Sequence, residues 1–313
     1  MGACCTRSRN NAKEDFAPIK LENYNRWGIF AFNDQKYFCV YDFQESQAQF
    51  VIPQFNTPLV DYSFIYKTPL VFVLGGVDQS NKTVVPKVWI SSPRDDTLIF
   101  SEICSMTTPR KKPWVLSPIE GSIFAIAGFY HPIYPHSILK TCERFYEGED
   151  RWERTPSLNH PPKSIFTVGN SLYAFNALEN LASFEYLNIK ESDALWVVCH
   201  IKTEELQTEL VEHFSLSCDN NNLLYIFGGI DQAGDASRAT YTLDVNSGKL
   251  ERGKELLSKR MIGIECSVDS KDYSYHLTKS LKLCIFSKSS AQWLFLDTNI
   301  QDKAAKRQLD IKL

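Results

Sequence analysis

The chain has little of what most enzymes and most exported proteins display. None of its apolar runs approaches the ~18–20 residues that cross a bilayer as a helix. Its first fifteen residues hold no apolar core of the length a secretory leader needs. Nine cysteines occur without a single Cys-x-x-Cys pair, which excludes the usual structural zinc sites. Only six histidines are present, and none sits in a His-Glu-x-x-His arrangement. A Gly-x-Ser-x-Gly elbow and a phosphate-binding Gly-x-x-x-x-Gly-Lys-Ser/Thr loop are also missing. No catalytic residue, metal site or cofactor is therefore expected. The net charge of −3 argues against a broad nucleic-acid footprint.

What the chain does have is self-similarity. Residues 70–79 read Leu-Val-Phe-Val-Leu-Gly-Gly-Val-Asp-Gln, and residues 223–232 read Leu-Leu-Tyr-Ile-Phe-Gly-Gly-Ile-Asp-Gln. Each is an apolar run closed by a glycine pair, as in a buried strand ending at a tight turn. Gly75, Gly76, Gly228 and Gly229 supply room and free dihedrals where a side chain would meet neighbouring backbone. The copies lie 153 residues apart, three times 51. Weaker copies fall between and around them. Residues 122–129 set Ala127 and Gly128 in place of the pair, 52 residues after the first. Residues 171–177 follow about 49 further on, residues 272–277 about 48 beyond the second pair, and residues 27–33 about 43 before the first. Six units result, starting near 25, 59, 114, 163, 215 and 262. A second mark recurs inside them. Phe145 and Trp152 are seven apart, as are Phe286 and Trp293, and Leu243 and Leu250 repeat the spacing. A short polar turn between the two residues joins antiparallel strands, and the aromatic is expected to pack between neighbouring sheets.

These marks resemble the kelch repeat, the ~50-residue blade of a β-propeller. Gly75-Gly76 and Gly228-Gly229 match the family's glycine pair in full, and Ala127-Gly128 by half. Trp152, Trp196 and Trp293 match its tryptophan. The resemblance covers residues 16–313 and implies an all-β, six-bladed propeller. The first unit offers three strand candidates, so the C-terminal residues 309–313 are expected to complete its sheet. Residues 98–104 read as one outer strand of the second unit. Residues 107–113, Thr-Thr-Pro-Arg-Lys-Lys-Pro, resemble a crossing between blades, with the basic residues read as solvated. Residues 204–213 fit a short surface helix or an outer strand.

Residues 1–15 stand apart as a flexible tail. Met1-Gly2-Ala3-Cys4-Cys5-Thr6 fits N-myristoylation at Gly2, with Cys4 and Cys5 placed for palmitoylation. This gives a lipid-anchored protein at the cytoplasmic side of a membrane. Cys39, Cys104, Cys142, Cys199, Cys218, Cys266 and Cys284 read as buried free thiols in a reducing compartment.

The resemblance implies that function sits in loops on one face. The candidates are Asp78 and Asn81 in the second unit, His131, Tyr134 and His136 in the third, and Asp231, Asp235 and Arg238 in the fifth. Asp78 and Asp231 occupy matching places that favour closing a turn over acid chemistry. The expected function is a monomeric, non-catalytic protein-interaction module. The alternative is a propeller enzyme acting on a sugar or small molecule in a central channel.

Overall fold

The computed structural model describes most of residues 27–296; residues 1–26 and 297–313 and several connecting segments, among them 92–97, 202–214 and 257–263, lie outside the described residues. The described residues are all-β, built from separate sheets that are antiparallel except for the short β11–β4 pair. The first sheet has three strands, β1 (Trp27–Phe32), β2 (Tyr37–Asp42) and β3 (Gln47–Val51). Next come β4 (Pro53–Gln54), β5 (Leu59–Val60), β6 (Ser63–Lys67), β7 (Leu70–Leu74), β8 (Val77–Asp78), β9 (Thr83–Val84), β10 (Val88–Ser91), β11 (Leu98–Ile99) and β12 (Ser101–Ile103). Of these, β6, β7, β10 and β12 form the second sheet in that order. The third sheet is β13 (Trp114–Leu116), β14 (Ser122–Ile126), β15 (Cys142–Tyr146) and β16 (Arg151–Thr155). The fourth is β17 (Ser164–Val168), β18 (Ser171–Leu178), β19 (Leu181–Asn188) and β20 (Val197–His200). The fifth is β21 (Ser215–Cys218), β22 (Leu223–Phe227), β23 (Thr240–Asp244) and β24 (Lys249–Arg252). The sixth is β25 (Ile264–Asp269), β26 (Tyr273–Thr278), β27 (Leu283–Ser287) and β28 (Gln292–Leu296).

Burial falls across each sheet in a way its sequence explains. Two of the second strands are apolar runs, β7 throughout and β14 after Ser122: β14 is buried at every residue, and β7 at all but its first. A strand covered on both faces has no use for alternation. The last strands β16 and β24 carry Arg, Glu and Lys and are largely exposed. Successive sheets pack face to face. Phe72, Leu74, Val88 and Met106 of the second pack against Ile123, Ala125, Phe145 and Trp152 of the third. Phe124, Ile126 and Leu158 meet Leu172, Ala174, Leu187 and Trp196 of the fourth. Tyr173, Phe175 and Phe184 meet Leu224, Ile226, Tyr241 and Leu243 of the fifth. Phe286 of the sixth packs on Tyr225 and Phe227. The first strands lie side by side, β6 with β13, β13 with β17, β17 with β21, β21 with β25, and β25 with β1.

The recurring tryptophans also bond across these boundaries. Trp152 Nε1 donates to the Cys104 carbonyl at 3.0 Å, and Trp196 Nε1 donates to the Pro156 carbonyl at 2.9 Å. Each indole thus hooks its sheet to the end of the sheet before.

The glycine turns keep one geometry. Gly75, Ala127 and Gly228 all lie in the left-handed region, at φ 64°, 54° and 67°. Their amides donate to Lys87, Thr141 and Ala239 carbonyls at 2.9, 3.0 and 3.1 Å. The half-matching copy therefore bends as the full ones do. The fourth unit has Asn176 at this point, and its hairpin runs on without a break to the Leu178–Leu181 pair.

One sequence expectation is corrected. Residues 98–104 do not make a single outer strand. The Phe100 ring turns inward, stacked 4.8 Å from Phe55, and its amide donates to the Gln54 carbonyl. That divides the run into β11, which pairs in parallel with β4, and β12, which pairs with β10. The readings for residues 204–213 and 309–313 lie outside the described residues.

Candidate partner-contact face

The crossing segment 107–113 organises one end of the second and third sheets. It was read as solvated at its basic residues; Arg110 instead is completely buried. Its guanidinium Nη1 donates to the Ala127 and Thr141 carbonyls at 2.7 and 2.9 Å, and Nη2 donates to Glu143 Oε1 at 2.6 Å. Glu143, on β15, also accepts the amides of Thr107 and Thr108 at 2.6 and 3.0 Å. Burial alone would raise the Glu143 pKa, but the Arg110 charge and these donors outweigh it and hold the carboxyl below its usual range. The backbone of the segment meets glycine on both sides. A Cβ on Gly75 would lie 2.0 Å from the Arg110 carbonyl, and one on Gly128 2.8 Å from that of Lys111. Only glycine lets the backbones approach so closely.

The same segment joins two loops. Lys111 and Phe129 exchange both backbone hydrogen bonds at 2.8 Å. Lys111 Nζ donates to the Pro132 carbonyl and pairs with Asp61, and Lys112 pairs with Asp61 from the other side. The two lysines lower the Asp61 pKa against the opposing effect of its burial. Asp61 follows β5, which pairs with β8 of the hairpin that holds Asp78 and Asn81. Asp78 Oδ1 accepts the Ser80 amide at 2.8 Å and Asn81 Oδ1 accepts the Thr83 amide at 3.1 Å, so both side chains close the turn. The loops of the second and third units are thereby held together.

The third unit's loop is built from within. His131 Nδ1 accepts the amides of Ile133 and Tyr134, both at 3.2 Å, and its ring lies 4.4 Å from that of Tyr134. The Ser137 hydroxyl donates to the Tyr134 carbonyl at 2.8 Å. Held this way, the loop displays Tyr130, Ile133 and Tyr134, which are 60%, 77% and 65% exposed. Sequence reasoning named His131 and Tyr134 but missed Tyr130 and Ile133; a tyrosine and an isoleucine within five residues of the glycine turn were the available signal. His136 lies outside the described residues, as do Gly2, Cys4, Cys5, Gly229 and Asp231. Asp235 is exposed. Arg238 Nε donates to the Leu256 carbonyl at 2.7 Å, a brace within the fifth unit.

Among the described residues no group of three His, Cys, Asp or Glu is placed to hold a metal ion. Cys104, Cys142 and Cys199 are free thiols. Of these only Cys142 is fully buried, and burial pushes its thiol up to about 12, against the opposing Arg110 charge. Among the described residues no helix is long and apolar enough to cross a membrane. No protein-family model matches the chain, and the curated proteins compared with it contain no match either.

Proposed function

We propose that the chain is a six-bladed kelch-type β-propeller that binds a protein partner through its loop face. It performs no catalysis, and acyl chains on Gly2 and on Cys4 or Cys5 hold it at the cytoplasmic face of a membrane. Three features support the fold: the side-by-side row of first strands from β6 round to β1, the sheet-on-sheet packing, and the recurring left-handed turn. The binding reading is carried by one observation. A loop braced by His131, Ser137 and Lys111 spends its internal bonds on presenting Tyr130, Ile133 and Tyr134 to solvent. Exposed aromatic and branched apolar side chains on a prearranged loop are what protein interfaces use as anchors.

The test is a pairwise comparison in cells. The parent and an Ile133→Asp, Tyr134→Ser variant are each fused to a proximity-labelling enzyme, and their labelled neighbours are quantified. The reading requires a defined set of neighbours that the parent labels and the variant loses. Identical sets overturn it. The tether is tested separately by fractionation. One myristoyl chain gives marginal binding, so a second anchor is needed. Gly2→Ala should release the protein to the soluble fraction, whereas Cys4→Ser with Cys5→Ser should leave weak, washable binding. An intact Gly2→Ala protein that still sediments with membranes shows that the tail does not do the anchoring.

A further inference from the structure

The place that Arg110 fills beside the third sheet has a counterpart beside the fourth. Glu143 and Glu185 each accept the amides of two successive residues in the crossing segment, Thr107 and Thr108 in one case, Asn159 and His160 in the other. Counted along the chain from those amides, the buried Pro162 falls where Arg110 falls. Counted along the strands from each glutamate and the alanine opposite it, Asn176 falls at Ala127 and Ser183 at Thr141. In the third sheet the guanidinium serves this place: Nη1 donates to the Ala127 and Thr141 carbonyls, and Nη2 donates to Thr141 Oγ1 at 3.3 Å and to Glu143. In the fourth, Asn176 Nδ2 donates to Glu185 Oε1 at 3.0 Å. Asn176 Oδ1 and Ser183 Oγ are both buried and, among the described residues, have no hydrogen-bond partner.

We infer that Asn176 Oδ1 and Ser183 Oγ hold one internal water molecule, in the place that the Arg110 guanidinium takes one sheet earlier. The two residues are direct partners across the β18–β19 ladder, so their side chains stand on one face with Cβ atoms about 4.5–5.5 Å apart. Their oxygens do not bond each other, yet one small molecule can touch both. Room for it comes from the exchange of residues. Pro162, Asn176 and Ser183 together carry about two side-chain non-hydrogen atoms fewer than Arg110, Ala127 and Thr141, and a space of that size lined by polar atoms takes water. The water donates one proton to Asn176 Oδ1, which can only accept, and meets the Ser183 hydroxyl with its other proton or a lone pair. A metal ion fits less well. The backbone and side-chain amides of Asn159, the His160 amide and the Asn176 amide already occupy the about four lone-pair sites of the Glu185 carboxylate. Two neutral oxygens are then all that is left for a cation. Unlike the guanidinium, the water is not covalently attached, so the fourth sheet closes its clamp with a group that exchanges with solvent.

A crystal structure of the full chain that resolves ordered water tests this. One peak should lie about 2.6–3.2 Å from both Asn176 Oδ1 and Ser183 Oγ. A direct bond between the two side chains with no peak between them overturns the inference, and so does a peak that bonds neither. Magnetic relaxation dispersion of the water oxygen nucleus reads the same site in solution, because it counts water molecules held for longer than the protein takes to tumble. The parent should hold one such molecule more than Ser183→Val, whose branched side chain removes the hydroxyl and takes up the room. Equal counts in parent and variant overturn the inference. Should Ser183→Val fail to fold, the crystal structure of the parent decides.

Discussion

The third and fourth sheets set a buried glutamate at one point of the repeat and satisfy it in two ways. Glu143 on β15 faces Ala125 across the ladder, and Glu185 on β19 faces Ala174. Both are completely buried, and both accept amides from the segment entering their sheet, Thr107 and Thr108 for one, Asn159 and His160 for the other. Glu143 then pairs with the buried guanidinium of Arg110. Glu185 instead takes the Asn159 and Asn176 side-chain amides and the His160 ring, each at 3.0 Å. The shared task is to clamp the crossing backbone onto the sheet. The difference lies in what is left behind when the clamp fails: a buried cation in the third sheet, and neutral amides with a partly exposed imidazole in the fourth.

The largest expected effect follows from that residue of charge. Glu143→Ala strands Arg110 and should destabilise by about 3–5 kcal/mol, as breaking a buried ion pair does. Urea midpoints of Glu143→Ala, Arg110→Met and the double variant measure it. The double variant should be more stable than the sum of the two singles predicts, because it leaves no buried charge unpaired.

Next comes the backbone that the pair holds down. Gly75→Ala drives a Cβ into the Arg110 carbonyl and imposes the left-handed region on alanine, for roughly 2–4 kcal/mol. Ala127→Gly, at the matching point one sheet on, should shift stability by less than about 1 kcal/mol. Equal melting shifts for the two would show that the Gly75 site takes up a Cβ as readily as the Ala127 site does.

A smaller effect is expected in the fourth sheet. Glu185→Ala loses hydrogen bonds to amides and to an imidazole that is partly exposed to water, and should cost about 1–3 kcal/mol. A loss as large as that of Glu143→Ala would mean that the two clamps cost the same to break, whatever group faces the carboxylate.

The smallest effect is in the pH dependence. The folded pKa of Glu143 lies below its ordinary value of 4.5, so its contribution is complete above that value and is lost as pH falls through the lower one. Glu143→Gln should flatten the acid limb of a stability profile below about pH 4.5 and leave its slope near neutrality unchanged. An unaltered acid limb would place the acid sensitivity elsewhere.

Much of the architecture could be read in the residues before any coordinates. Apolar runs closed by Gly75-Gly76 and Gly228-Gly229 marked two second strands, and the spacing located the weaker copy at Ala127-Gly128. The aromatic pair Phe145 and Trp152 packs against the second sheet as its position implied. What stayed hidden was polarity facing inward. Arg110 between a proline and two lysines looks like a solvated residue, because sequence gives no sign that a carboxylate 33 positions later points back at it. Glu143 and Glu185 look like the polar half of an alternating strand. The signal that separates them is the small residue opposite, Ala125 or Ala174, visible only once the units are aligned. On the candidate face, the sequence marks His131 as a partner-contact residue of its loop. Its work is to accept two amides, a role set by loop closure that composition cannot express.

The indole hooks have an optical consequence. Trp152 and Trp196 are each buried, each bonded to the last residues of the preceding sheet, and so each sits on a boundary between two sheets. Parting the second sheet from the third would wet Trp152 and leave Trp196 dry, and parting the third from the fourth would do the reverse. Indole emission shifts to longer wavelength in water, so chains retaining one or the other tryptophan would report separately on two seams. If the sheets come apart one at a time, the two emission curves should part along a denaturant gradient, and the order in which they redden gives the direction in which the stack opens.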